Sequence, residues 1–271
     1  MMKIQQIRNA TLILELGAHR VLVDPMLAGK GTLPSLRLFA GRQRNPTVEL
    51  PVVAESALAS VTHCLITHCQ KGHFDHLDRA AERWLRARNI PVICTPYDAP
   101  YLARRKLNVQ PLAEGHEAPV AFLNGTIRTV PCQHGRGWVG SLMEHGSGYL
   151  IELPGEPSLY LAGDTVLTPA IRDFVRRCRP QVSVVPAGGA SFDLGGDIIM
   201  GRDEVLEFTA LSEGVVIANH LEAINHCPVT RDELRQAASA RGMQERLLIP
   251  ADGQALEFHA EDVRHLQSRW G

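Results

Sequence analysis

The chain opens on short apolar runs of strand length rather than on long amphipathic stretches. Residues 3–8 and 11–16 are β-prone and parted by Asn9-Ala10, and 20–23 follows a turn at Gly17. Together they read as a meander ended by Asp24-Pro25, because proline has no N–H to give a ladder. Residues 26–53 carry no period and are interrupted by Gly29, Gly31, Pro34, Gly41, Pro46 and Pro51. So long a loop in a compact domain is functional or mobile.

From residue 61 the rhythm changes. A buried-looking strand over 61–67 precedes Leu77, Ala81, Trp84 and Leu85, which fall on one face of a helix. A strand at 91–94 and a helix at 98–106 follow. Strands return at 120–123, 127–131, 149–153 and 158–162. Thr168-Pro169 is an N-cap with proline at the first helical position, and Ile171, Phe174, Val175 and Cys178 share a face. Apolar strands at 182–185 and 215–218 flank a helix at about 203–212. Thr230 and Glu233 predict a capping box for a helix to about 241. Strands at 246–249 and 255–258 and a short terminal helix complete the pattern. No linker divides the chain, so residues 1–271 are expected to form one α/β domain with layered sheets and outer helices.

Composition narrows this picture. The hydrophobic fraction of 45% and charged fraction of 21% suit a filled core. A net charge of −1 and 5% aromatic residues speak against a nucleic-acid channel, which needs a basic groove and stacking rings. No apolar run approaches the ~20 residues of a bilayer span, and the N-terminus lacks the pattern of a signal peptide. Six scattered cysteines without CxxC spacing read as reduced thiols, so the expected compartment is cytoplasmic. The basic clusters at 104–106 and 176–179 lie near helix C-termini, where they complement the macrodipole.

The twelve histidines are unevenly spread. His68, His73, Asp75 and His76 fall within nine residues, between an apolar strand and an amphipathic helix. Such junctions let side chains converge while the scaffold holds them. Imidazole nitrogens with carboxylate oxygens suit Zn²⁺, Mn²⁺ and Fe. His134, Asp164 and His220 also follow strands directly. A polar cap at one strand end is unremarkable; four junctions bearing metal-type ligands are not.

The order Asp24-Pro25, Thr67-His68, His73-x-Asp75-His76, His134, Gly163-Asp164 and His220 resembles the metallo-β-lactamase-fold hydrolases, over residues 3–226. Asn9-Ala10-Thr11 and Arg44-Asn45-Pro46 look most like the branch with ascorbate-6-phosphate lactonase and the phospholipase D that cleaves N-acyl-phosphatidylethanolamine. The resemblance implies an αββα sandwich of two sheets flanked by outer helices. It also implies a dinuclear centre of two divalent ions, Zn²⁺ or Mn²⁺, with Fe as an alternative. His68, His73 and His134 would hold the first ion, Asp75, His76 and His220 the second, and Asp164 both. The family's usual motif has one residue between its first two histidines, whereas Cys69-Gln70-Lys71-Gly72 stand here. Gly72 makes a tight bulge inexpensive, which favours retention of His68; the alternative is a first site short of one ligand.

Two such cations would lower a bound water's pKa to about 7. The expected reaction is attack by a bridging hydroxide on a small-molecule ester or lactone, with a phosphodiester as runner-up. Asp75 would orient the nucleophile, and His226 would contact the substrate, donate a proton, or serve a helix entry. Lys71, Arg42 and Arg44 are candidates for binding substrate, and Phe39 with the two arginines for lining an entrance. Residues 26–53 would form a pocket wall or a subunit contact in a homo-oligomer. An iron redox protein and a sensor with a degraded site are the other classes. His63, His116, His145 and His259 have no comparable context, and His19 and His265 look like surface residues.

Overall fold

Strands β1 (Met2–Arg8), β2 (Thr11–Leu16) and β3 (His19–Val23) form the expected meander in the computed structural model. It describes residues 1–37, 43–70, 72–113, 118–137, 140, 143, 146–192, 196–261 and 263. The first sheet continues in parallel through β4 (His63–Leu65), β5 (Pro91–Cys94) and β6 (Asn108–Pro111). Its other edge is β14 (Ala255–Phe258), antiparallel to β1.

The second sheet repeats the plan. Antiparallel β7 (Val120–Phe122), β8 (Gly125–Pro131), β9 (Ser147–Glu152) and β10 (Leu159–Leu161) come first. Parallel β11 (Val182–Pro186), β12 (Val215–Asn219) and β13 (Leu247–Leu248) then extend it.

Alternation along the strands builds three apolar layers. Leu12, Leu14, Val21 and Val23 meet Tyr149, Ile151, Val184 and Ile217 between the sheets. The next residues along, Ile13 and Leu22, face outward against α1 (Ala54–Ala59), α2 (Arg79–Ala87) and α3 (Ala99–Arg104). Leu150, Val185 and Val216 likewise face α4 (Pro169–Cys178), α5 (Arg202–Leu211) and α6 (Arg231–Ala240). Central strands buried on both faces explain why their sequences read as near-continuous apolar runs. The result is a helix–sheet–sheet–helix sandwich.

Local signals hold well. Thr168 Oγ1 accepts from the Ile171 N–H, and Thr230 with Glu233 closes a capping box. Two short elements escape the sequence pattern. Helix α1 has no side-chain cap at Val53, and β6 is an Asn-Val-Gln-Pro segment whose last two residues are exposed. The strand expected over 61–67 pairs only at His63–Leu65, because the Thr67 N–H leaves the ladder for the Asp24 carboxylate. The terminal helix lies mostly outside the described residues. No disulfide joins the six cysteines, and no helix among the described residues is long and apolar enough to cross a membrane.

Candidate metal centre

Every motif histidine and aspartate sits just beyond the C-terminal end of a strand. His68, His73, Asp75 and His76 lie between β4 and α2, His134 follows β8, Asp164 follows β10, and His220 follows β12. One sheet supplies the first group and the other sheet the rest. The donor atoms of His68, His73 and His134 lie within 4.8 Å of one another, as do those of Asp75, His76, Asp164 and His220. One atom belongs to both surroundings. Asp164 Oδ2 is 3.2 Å from His76 Nε2, 3.5 Å from His220 Nε2, 3.7 Å from His134 Nε2 and 4.0 Å from His68 Nε2.

The described residues between His68 and His73, Cys69, Gln70 and Gly72, are anchored from both sides. Gly72 takes φ +90°, a region open to glycine. The Gln70 amide donates to Asp98 Oδ1 (3.0 Å), which also faces Cys69 Sγ (3.6 Å). The Gln70 carbonyl accepts from His73 Nδ1 at 2.7 Å. The insertion therefore orients His73 and leaves His68 and His73 side by side.

Hydrogen bonding settles which nitrogens face inward. Thr67 Oγ1 donates to Asp24 Oδ2 (2.6 Å), so it accepts from His68 Nδ1 at 3.0 Å. His134 Nδ1 donates to the Ile198 carbonyl at 2.9 Å. With Nδ1 carrying the proton on all three rings, three Nε2 lone pairs converge. Nε2 of His73 and His134 stand 3.1 Å apart, and His68 Nε2 is buried with no hydrogen-bond partner among the described residues. Burial, then His76 and His73, push the His68 ring well below its ordinary pKa, which keeps it neutral.

The second cluster places histidines against carboxylates. Burial opposes charge on His76 and His220, yet Asp164, with further carboxylate contacts, raises both well above the ordinary value. Burial likewise opposes the Asp75 and Asp164 carboxylates, but His76 and His220 hold both well below the usual range. The two carboxylates thus face positive charge, borne by the His76 and His220 rings. Convergent neutral imidazoles beside two carboxylates are a donor set that fits Zn²⁺ or Mn²⁺.

Supporting groups complete the site. Asp24, at φ +45°, accepts from the Thr67 backbone and hydroxyl and from His76 Nδ1 at 3.0 Å. Asn9, at φ +56°, accepts the His220 N–H at its carbonyl (3.0 Å). Fully buried Arg8 donates to the carbonyls of Met26, Ala28 and Val48, bracing both ends of the long loop. Sequence reading saw Asp24 as a strand terminator and missed its bonds. Asp24→Asn puts an amide N–H before donors, and metal affinity measured against a competing chelator is expected to fall roughly 10–100-fold.

A cavity of about 120 Å³ opens over the clusters. Its floor is His73, Asp75, His134 and Asp164, and its walls include Leu36, Met143, Phe192 and Ile198. His226 also lines it, ring parallel to Phe192 with centroids 5.9 Å apart, and its Nδ1 is buried and unpartnered among the described residues. None of the described lining residues is Lys or Arg. Arg44 is spent on its own loop, donating to the carbonyls of Gly31 (2.7 Å) and Thr32 (2.8 Å). Lys71, Arg42 and Phe39 lie outside the described residues, as do His116, His145 and His265. Nothing in the periodicity pointed to the apolar wall, because its members sit in irregular segments.

Sandwich and centre define a class. The chain belongs to the beta-lactamase superfamily, whose domain model matches residues 19–221. It is 33% identical over 262 residues to the UPF0173 protein YddR of Bacillus subtilis, covering 95% of this chain and 100% of that one. A UPF0173 metal-dependent hydrolase of Archaeoglobus fulgidus is 27% identical over 263 residues, covering 95% and 100%. The crystal structure of isothiocyanate hydrolase from Delia radicum gut bacteria superposes with a TM-score of 0.85 at 33% identity, covering 96% and 100%. The chain is thus a metal-dependent hydrolase of this fold.

Proposed function

We propose that this chain hydrolyses small, uncharged, largely apolar molecules at an electrophilic carbon, with isothiocyanates as the leading class. The observation that carries the reading is Asp164 Oδ2 standing between the two clusters on the floor of a cavity with apolar walls. His68, His73 and His134 would hold one divalent cation, Asp75, His76 and His220 a second, and Asp164 both. Zn²⁺ or Mn²⁺ bound there would lower the pKa of a shared water to about 7 and so supply hydroxide at neutral pH.

The chain's own groups do the rest. Asp75, on the floor, accepts a hydrogen bond from the attacking water and orients it. Leu36, Met143, Phe192 and Ile198 exclude bulk water and seat the apolar substituent. His226, which burial holds down to about 4, is neutral at pH 7 and presents a ring N–H to the atom that gains charge. Adding water across the C=N bond of R–N=C=S gives a thiocarbamic acid, R–NH–C(=O)–SH, which breaks down to the amine and carbonyl sulfide. The proton that ends on nitrogen is one of the two carried by the added water, and the neutral His226 ring would hydrogen-bond the nitrogen or sulfur that gains charge.

The likeness to a 33%-identical isothiocyanate hydrolase supports this class. Small lactones and esters are the second reading, favoured by the motif resemblance. Phosphodiesters suit the site less, since their charge meets no Lys or Arg among the described lining residues. The test is a panel of alkyl isothiocyanates, small lactones, aryl esters and bis(p-nitrophenyl) phosphate with Zn²⁺, Mn²⁺ and Fe²⁺. Isothiocyanates are expected to exceed lactones in kcat/KM by at least about tenfold. Phosphodiester turnover above all others would overturn the proposal.

A further inference from the structure

We infer that Asn45 and Asn225 form a clasp that sets the width of the substrate cavity, making Asn225 a positioning and specificity-determining residue. The two amides are spent on each other and on the loop that walls the cavity. Asn225 Oδ1 accepts from the Leu36 backbone N–H (3.1 Å) and from Asn45 Nδ2 (3.0 Å). Asn225 N–H donates to Asn45 Oδ1 at 2.9 Å, and Asn225 Nδ2 to Ser35 Oγ at 2.8 Å. Asn45, itself fully buried, gives its second amide hydrogen to the Pro34 carbonyl at 2.9 Å.

Those bonds join two pieces of chain far apart in sequence. Leu33 and Asn45 pair across the base of the loop, and Thr47 adds bonds to the carbonyls of Ala223 and Glu222. Leu36 lines the cavity from the loop side, and His226, the residue after Asn225, lines it from the segment beyond β12. No shared strand joins the two walls; the Thr47 bonds tie their bases, and the side-chain amides of Asn45 and Asn225 join them nearest Leu36 and His226. A buried network in which each partner is satisfied holds one geometry, and removing one member leaves the others unpaired. The bonds of Asn225 to Leu36, Asn45 and Ser35 tie it to the loop wall, so the clasp acts on wall spacing.

The sequence marked Arg44-Asn45-Pro46 as a family cue without a role, and gave Asn225 none. Both now have one.

The inference rests on the hydrolytic reading only for its substrate, so its test uses ligands that need no turnover. The Co²⁺-loaded protein is titrated with acetohydroxamate and with benzohydroxamate, following the visible bands. In Asn225→Ala the preference for the smaller hydroxamate is expected to shift toward the larger by about tenfold, with metal content unchanged. Asn225→Asp keeps the acceptor for Leu36 and Asn45 and is expected to restore most of the wild-type ratio. The Leu36 amide is expected to exchange at least about tenfold faster in the alanine variant alone. A hydroxamate ratio unchanged in Asn225→Ala, or loss of metal in it, overturns the inference. Size selection that shifts as stated in a protein that turns over no isothiocyanate or lactone sinks the substrate proposal and leaves the clasp standing.

Discussion

Asp164→Asn is expected to lower kcat/KM by at least about a thousandfold, roughly 4 kcal/mol of transition-state stabilisation, while leaving the fold intact. The substitution preserves size and removes only the charge. That charge sits where Nε2 atoms of His68, His76, His134 and His220 all lie within 4.0 Å of one oxygen. An amide there turns an N–H toward some of these nitrogens, or a weaker acceptor toward all of them, so neither cluster keeps its shared anion. His76→Ala is expected to act on one cluster only. It removes a ring held by Asp24 on one side and facing Asp164 on the other. Elemental analysis beside steady-state kinetics separates the two: Asp164→Asn should disturb both ions and His76→Ala chiefly one. Wild-type hydrolysis after either change would sink the assignment.

Removing metal is the second large effect. The seven donor residues are buried, with His68 at 0% and His73, the most open, at 9% exposure. Three buried Nε2 lone pairs converging in one cluster cost the folded chain stability that a bound cation would restore. A ligand that binds only the native state at a thousand times its Kd adds about 4 kcal/mol. At roughly 2–4 °C per kcal/mol for a chain of this size, the chelated protein is expected to melt about 8–16 °C lower. Calorimetry with and without chelator, followed by back-titration with Zn²⁺, Mn²⁺ and Fe²⁺, checks the figure and names the preferred ion. A melting point indifferent to chelator, in a protein that holds no metal, would instead fit the sensor class. Stoichiometric iron with a visible band would fit redox chemistry.

Most of the fold was legible because its signals are local. Short apolar, β-prone runs mark β2 and β9, the spacing of Leu77, Ala81, Trp84 and Leu85 marks α2, and Thr230 with Glu233 marks the start of α6. Helix α1 was not legible: it is six residues long, and no side chain caps it. Strand β6 was not legible either, since its two exposed residues carry no apolar rhythm and only its pairing with β5 makes it a strand.

The candidate site divides in the same way. Residue type and strand-end position were enough to nominate His68, His73, Asp75, His76, His134, Asp164 and His220. They were not enough to say how a motif stretched by three residues could keep His68 beside His73. That depends on Gln70 reaching Asp98 and on Gly72 turning the backbone. The bonds of Asp24 behind His76, the His226 nitrogen with no partner among the described residues, the apolar wall and the clasp of Asn45 with Asn225 likewise join residues 52 to 180 positions apart or lie in segments without a period.

By itself the sequence determined the layered α/β architecture, the strand ends that bear donors, and the chemical kind of those donors. Each is a property of neighbouring residues: a period, a cap, a ligand atom. Tertiary structure alone decided that donors from two sheets meet at one oxygen, which nitrogen of each ring faces inward, and that Leu36, Met143, Phe192 and Ile198 wall the cavity above them. Those facts depend on the register of strands far apart in the chain, and no local pattern of side chains encodes a distance across two sheets.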